Sequence, residues 1–373
     1  MNYEFIIIGG GISGAAAGYE LALHGKVAIL EAESHAGYHS TGRSAALYTP
    51  NYGPDLVRAI SQLSLPFLNQ PPDGFTEQSL LSPRGMLEVF PADAEQTLQT
   101  LPDSAGENFT GLTQQQTLNM VPFLLAERVG GGIYEEGVFD MDVGSLHQGF
   151  LHGFKQRGGT LLTNTRVTSI VRNSSHWELA SDQAHVRGRV LVNAAGAWAD
   201  EVGVMASAST IELEPKRRTA ILVDLPNNVG NRLIPATRFH SVDNYFKPES
   251  GKLMVSPGDE TPVKAQDIQP DEMDIAVLVD WLEKETTIEV TRVAHSWAGL
   301  RNFVTDGTPV VGFDNTVEDF FWLAGQGGYG IMMSASLARA SAAILTTNQL
   351  PKDFVDAGID KNQLSPRRLL TSH

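Results

Sequence analysis

Residues 5–32 read FIIIGGGISGAAAGYELALHGKVAILEA. Four apolar residues stop at a run of glycines, an alanine-rich helical stretch follows, and VAIL resumes an apolar run. The pattern is strand, tight turn, helix, strand: one βαβ unit. Within it Gly9-x-Gly11-x-x-Gly14 opens the helix directly after the first strand, and Glu31 ends the second strand. Gly9 permits the turn, Gly11 lets a pyrophosphate approach the backbone, and Gly14 lets helix and strand pack closely. A carboxylate at Glu31 is suited to ribose hydroxyls, so an unphosphorylated ribose, in NAD or the adenosine half of FAD, is favoured over NADP.

The rest of the chain bounds what this unit serves. Its 373 residues are enough for two cores. The 43 acidic against 27 basic residues, a formal charge of −16, argue against nucleic acid as a partner. There is no cysteine, which excludes disulfides, iron–sulfur ligation, a thiol nucleophile and a cysteine-linked flavin. Redox chemistry would reside in a bound organic cofactor, and no metal is expected. The opening MNYEFIIIGGG lacks the basic leader and apolar length of a signal peptide, and no run reaches the ~20 apolar residues of a membrane span. A cytoplasmic protein is the expectation, with peripheral membrane contact left open.

After Glu31 the chain departs from a simple nicotinamide domain. Residues 37–53, GYHSTGRSAALYTPNYG, are small, polar and flexible. Turns are expected at LNQPPDG, LLSPRG and TLPDSAG, a short strand at MLEVF and a helix around LTQQQTLNMVP. DMDVGSLHQGFLHGF has an N-cap signal and an amphipathic helix, and GRVLVNAAGAWAD is a buried strand ending in small residues. Residues 211–294 read as a sheet domain with a helix at DEMDIAVLVDWLEK, and FFWLAGQGGYGIMMSASLARASAAIL is a strand, a glycine-rich turn and a helix. The expected fold is α/β plus α+β. A Rossmann-type domain from 1–45, 140–210 and 295–373 is interleaved with a mixed-sheet substrate domain from 46–139 and 211–294.

The motifs IIIGGGISGAAAGYELALHG, YHSTGRSAA, VLVNAAGAW, KRR at 216–218, NYFKPE at 244–249, and HSWAGLR followed by AGQGGYGI cover the chain to about residue 370. Together they resemble the D-amino acid oxidase superfamily of FAD-dependent oxidoreductases, within it the bacterial D-arginine dehydrogenases most closely. The resemblance implies noncovalent FAD. It places the cofactor against Gly9, Gly11, Ile12, Ser13, Gly14, Glu31 and Ala32, then Ser40, Thr41, Gly42, Arg43, Ser44, Ala45, Ala46 and Leu47. Further contacts are implied at Val167, Ala195, Gly196, Trp198 and Arg301, and along Gly327, Gly328, Tyr329, Gly330 and Ile331. Backbone N–H groups and a helix N-terminus suit the flavin edge where charge accumulates on reduction.

An amino-acid carboxylate calls for an arginine fork with a tyrosine hydroxyl. By resemblance Arg301 clamps it, Tyr245 assists and Tyr52 stands at the entrance. Of Arg217 and Arg218 on one strand, one should face away, and Arg218 is the candidate for the pocket. His39, His240 and His295 are weak candidates for a base. Two departures bear on specificity. Leu47 stands where the D-arginine dehydrogenases carry a histidine beside the flavin, and Gly85–Met86 where they carry a proline–glutamate pair, so the partner for a cationic tail is missing. Glu88 is expected to face solvent, the alternative being that a one-position shift of the MLEVF strand turns it inward.

The implied reaction is oxidative deamination of a D-amino acid, neutral or apolar, to a 2-oxo acid and ammonia, with a quinone or other acceptor preferred to oxygen. Oxidation of secondary or N-methyl amino acids such as sarcosine, glycine or proline is the alternative. A 2-hydroxy acid dehydrogenase, lacking an evident base, and a non-catalytic flavin-binding protein are weaker rivals.

Overall fold

The computed structural model describes residues 2–93, 108–226, 229, 233–240 and 242–371. The expected turn at TLPDSAG lies outside them.

The opening unit folds as its sequence dictates. Strand β1 (Asn2–Ile8) buries its last four residues, α1 (Ile12–Leu21) follows the glycines, and β2 (Val27–Leu30) is buried throughout. These build an eight-stranded sheet. Its main path adds β9 (Thr160–Leu162), β10 (Ser169–Arg172), β11 (Trp177–Ala180) and β12 (His185–Asn193) in the order β10-β11-β12-β1-β2-β9. β19 (Val310–Phe313) and β20 (Phe320–Ala324) complete it, β20 running parallel to β12. On one face α1, α2 (Asp55–Asn69), α4 (Val143–Gln156) and α7 (Gly330–Thr347) enclose an apolar core. Asp142 caps α4 by accepting from the Ser145 N–H, as the N-cap signal requires.

A nine-stranded mixed sheet stands beside it. Its strands are β5 (Met86–Pro91), β6 (Phe109–Thr113), β7 (Val129–Glu135), β13 (Glu214–Asp224), β14 (Ala236–Phe239), β15 (Val242–Glu249), β16 (Lys252–Ser256), β17 (Thr261–Pro262) and β18 (His295–Phe303). β18 runs antiparallel to β13 from Glu214 to Leu222, which brings HSWAGLR into this second sheet. α3 (Gln114–Met120), started by a Thr113–Gln116 capping box, and α6 (Glu272–Glu285) contribute to the core behind it. A small sheet of β3 (Leu47–Tyr48), β8 (Phe139–Met141) and β4 (Leu81–Pro83) joins the two regions. No helix among the described residues is long and apolar enough to cross a membrane.

Asp314 fastens the β19–β20 hairpin. It is buried and accepts from the N–H groups of Thr316 (2.9 Å), Val317 (2.9 Å) and Ser209 (3.2 Å) and from Trp322 Nε1 (3.0 Å). Burial alone would raise its pKa, but these donors together leave it below the ordinary aspartate range. Its stabilising contribution is therefore present above the unfolded-state value and lost as pH falls through the folded one. An Asp314→Ala variant is expected to lose about 2–3 kcal/mol in urea unfolding at pH 7, and less in moderate acid. An unchanged midpoint at both pH values would contradict this.

Candidate active site

A cavity of about 570 Å³ runs between the two sheets. Its lining begins at Gly9, Gly11, Ile12 and Ser13, passes Glu31, Ala32 and Val167, and includes Ala195, Gly196 and Trp198. It continues along Ser40, Thr41 and residues 43–47 to Arg301, Gly327, Gly328, Gly330 and Ile331. Of the residues predicted from sequence, Gly14, Gly42 and Tyr329 lie outside this lining. Gly14 serves packing instead: a Cβ there would meet the Gly9 carbonyl oxygen at 1.9 Å. Gly42 closes a turn on the Gly37 carbonyl, and the Tyr329 ring packs on Tyr52 (5.2 Å between centroids) ahead of α7.

At the β1–α1 turn Gly9 has φ +103°, and a Cβ would sit 2.4 Å from the Ala194 carbonyl oxygen. Only glycine meets both demands. Glu31 is buried and accepts from the Gly10 N–H (2.8 Å) and the Glu33 N–H (2.9 Å), one on each oxygen. Each oxygen keeps a lone pair for a hydroxyl. Thr41 accepts from the Ile12 N–H at 2.9 Å, so it closes the start of α1. Arg43 is committed to the protein: it donates to the carbonyls of Ile268 (2.9 Å) and Ala298 (3.2 Å) and pairs with Asp267. Ser13 donates to Gln326 Oε1 at 2.9 Å, tying the first glycine turn to the last.

His147, on α4, was not singled out in the sequence. Its Nε2–H donates to the Gly10 carbonyl at 2.8 Å, and burial lowers its pKa, keeping it neutral in this role. A His147→Leu variant should retain the fold while raising the FAD dissociation constant about 10-fold, read by flavin fluorescence; unchanged affinity would exclude a positioning role.

The other end of the cavity is built on one face of the second sheet. Arg218 and Arg301 both line the cavity, on the paired strands β13 and β18. Arg217 points to the opposite side and pairs with Asp274 at 2.5 Å and Asp271 at 3.9 Å, so strand alternation selects Arg218 for the pocket. Arg218 reaches Glu260 at 3.4 Å; burial, then the charge of Arg301, lowers its pKa from the ordinary guanidinium value. Arg301 has no ion pair among the described residues, and its buried NH1 has no hydrogen-bond partner. Three more cavity-lining residues hold buried polar atoms without partners, His39 through Nδ1, Arg218 through Nε and Asn302 through Oδ1. Such groups cost free energy unless a ligand satisfies them. The unpaired donors at one end and the glycine turn with its Glu31 acceptor at the other fit a dinucleotide with an anionic substrate beside it. Tyr245 and Leu47 line the same cavity, as does Tyr52, 41% exposed at its rim.

The tempting histidines are placed otherwise. His39 Nε2 lies 3.1 Å from Glu33, His240 Nδ1 lies 2.7 Å from Glu88, and His295 stacks on Trp297 away from the lining.

Glu88 corrects the sequence expectation. Leu87 and Val89 are buried in the core behind the sheet, so Glu88 and Met86 take the other face. That face is the cavity wall, not solvent. Gly85, at φ +72° with Tyr134 packed over it, makes the turn that sets this register. The alternation was visible in MLEVF, but what covers its polar face depends on the other sheet.

An eight-stranded Rossmann-like sheet with the glycine turn, and a mixed sheet closing a cavity over it, define an FAD-binding oxidoreductase fold. Residues 4–344 match the family described as FAD dependent oxidoreductase, DAO, and the chain belongs to it. Its cofactor is FAD, and a chain without cysteine cannot hold it through a cysteinyl bond. The chain is 26% identical over 350 residues to glycine oxidase of Geobacillus kaustophilus (strain HTA426), covering 89% of this chain and 90% of that protein. It is 24% identical over 394 residues to human mitochondrial dimethylglycine dehydrogenase, covering 96% of this chain but 44% of that longer protein. Solved structures of glycine oxidase from Geobacillus kaustophilus (TM-score 0.83, 23% identity, 100% and 99% coverage) and L-proline dehydrogenase from P. horikoshii (TM-score 0.81, 20% identity, 99% and 98% coverage) share the fold. None of these four singles out the D-arginine dehydrogenases; what they share with this chain is the family or the fold.

Proposed function

We propose that this protein oxidises the Cα–N bond of a small α-amino carboxylate with a neutral side chain, primary or N-alkylated, to an imine that water hydrolyses. The observation that carries this is the half-buried Arg301 guanidinium, whose buried NH1 has no partner, in a cavity shared with Arg218 and Tyr245. Arg301 has no ion pair among the described residues and Arg218 only a 3.4 Å contact with Glu260, so the two forks can take up one substrate carboxylate.

FAD, when bound, supplies the acceptor for the hydride leaving Cα. This chain's residues fix the carboxylate and exclude water from the space around it. The amine proton passes to solvent, since the histidines near the cavity are held by Glu33 and Glu88.

The similarity to glycine oxidase and dimethylglycine dehydrogenase supports amines as substrates and brings the N-methyl and secondary amino acids forward. Leu47 and Met86 on the wall favour a neutral tail. The narrower assignment to D-amino acids rests on the motif resemblance, as does preference for a quinone-type acceptor over oxygen. Anaerobic reduction with D- and L-alanine, sarcosine, glycine, proline and 2-hydroxy acids tests the reading. Bleaching by an amino carboxylate and not by its hydroxy analogue supports it; reduction by the hydroxy acid alone would replace it.

A further inference from the structure

The wall formed by β5 and β14 carries charge that the carboxylate clamp does not use. Glu88, Arg238, Tyr245 and Ser256 are successive register partners across β5, β14, β15 and β16, and all four line the cavity. Strands lie about 4.8 Å apart, so Arg238 is one strand spacing from Tyr245 and Glu88 is two, about 10 Å. An extended lysine or arginine side chain spans that reach.

Glu88 is well placed to receive a cationic tail, but both of its oxygens are taken. Oε2 pairs with Arg238 and Oε1 with His240 Nδ1 at 2.7 Å, while the His240 ring stacks on Phe90 at 4.4 Å between centroids. A second carboxylate, Glu135 on β7, lies opposite Met86 and accepts from Asn51 Nδ2 at 2.7 Å. Its pKa is raised, first by burial and also by Glu88, and lowered by Asn51 and by Arg238. Arg238 thus offsets the charge of both carboxylates on this wall. Asp243 and Glu260 line the cavity farther along.

We propose that Arg238 is a specificity-determining residue: by pairing with Glu88 it masks the carboxylate that would bind a cationic tail, so the pocket selects neutral amino acids. The inference rests on the amino-carboxylate reading above and explains selectivity within it. A pocket that rejects one substrate by a paired charge loses that rejection when the masking partner is removed.

The test uses FAD-loaded wild type and the Arg238→Met, Arg238→Lys, Glu88→Gln and Arg238→Met/Glu88→Gln variants. Reduction is followed anaerobically with lysine against norleucine, each as both enantiomers. The readout is the lysine-to-norleucine ratio of apparent second-order rate constants, with flavin content and thermal midpoint as fold controls. Wild type should favour norleucine. Arg238→Met should raise the ratio tenfold or more, Arg238→Lys should restore it toward wild type, and the double variant should abolish the gain. An unchanged ratio in Arg238→Met, with norleucine still reducing the flavin, would overturn this inference and leave the functional reading intact. Lysine as the better substrate of wild type would also overturn it. No reduction by any amino acid in any variant would overturn both.

Discussion

An Arg301→Met variant will fold, bind FAD and fail to hold its substrate. Loss of a charge-assisted carboxylate partner in this cavity costs about 3–4 kcal/mol, so the apparent second-order rate constant for flavin reduction should fall about 10²- to 10³-fold. Stability should move the other way or not at all. In the free protein Arg301 is a half-buried cation whose buried NH1 is unpartnered, and its charge disfavours that of Arg218. Removing it relieves a cost that only a bound carboxylate offsets. Loss of activity together with an unchanged or raised urea midpoint distinguishes a substrate clamp from a structural arginine. Full activity in the variant would remove Arg301 from the clamp. Gly328 offers an independent check, because a Cβ there would lie 3.0 Å from the Arg301 guanidinium carbon and displace it.

The second large effect lies at the other end of the cavity. Gly14→Ala places a methyl group 1.9 Å from the Gly9 carbonyl oxygen, a backbone atom that cannot rotate away. Either α1 moves off β1 or the Gly9 turn opens, and both would disrupt the cavity-lining turn that we propose carries the dinucleotide. The variant should lose bound FAD and about 4 kcal/mol or more of stability. Gly18→Ala in the same helix is the comparison: its Cβ would meet the Ile29 Cδ1 atom at 2.8 Å, the movable end of a side chain, so a smaller loss is expected. A yellow, stoichiometrically loaded Gly14→Ala protein of normal stability would contradict the assigned role.

The contrast between the two ends explains what the sequence could reveal. The βαβ unit is local: strand period, glycine spacing and the Glu31 carboxylate lie within a short stretch, and the structure puts Gly9, Gly11 and Glu31 at the cavity with Gly14 packed behind them. Caps are legible for the same reason, as at Asp142 and at Thr113 with Gln116. The choice between Arg217 and Arg218 needed the strand's facing, which alternation narrows but only a partner resolves; α6 supplies that partner through Asp274. Glu88 was misplaced because a strand with one buried face shows its other face as polar whether water or a second sheet covers it. The Glu88–Arg238 pair joins strands 150 residues apart in the chain, and no local pattern announces it. His147 is similar: a histidine on an amphipathic helix gives no sign that it reaches the Gly10 carbonyl, far earlier in the chain.

The most direct test of the account compares glycine and sarcosine with glycinamide and methylamine as anaerobic reductants of the purified FAD-loaded protein, alongside D-alanine and D-alaninamide. The amines are kept while the carboxylate is removed, so the comparison isolates the group that Arg301, Arg218 and Tyr245 are assigned to hold. At least one amino carboxylate should bleach the flavin band while its carboxylate-free counterpart is slower by about 10²-fold or more. Equal reduction by the amide or the simple amine would contradict it.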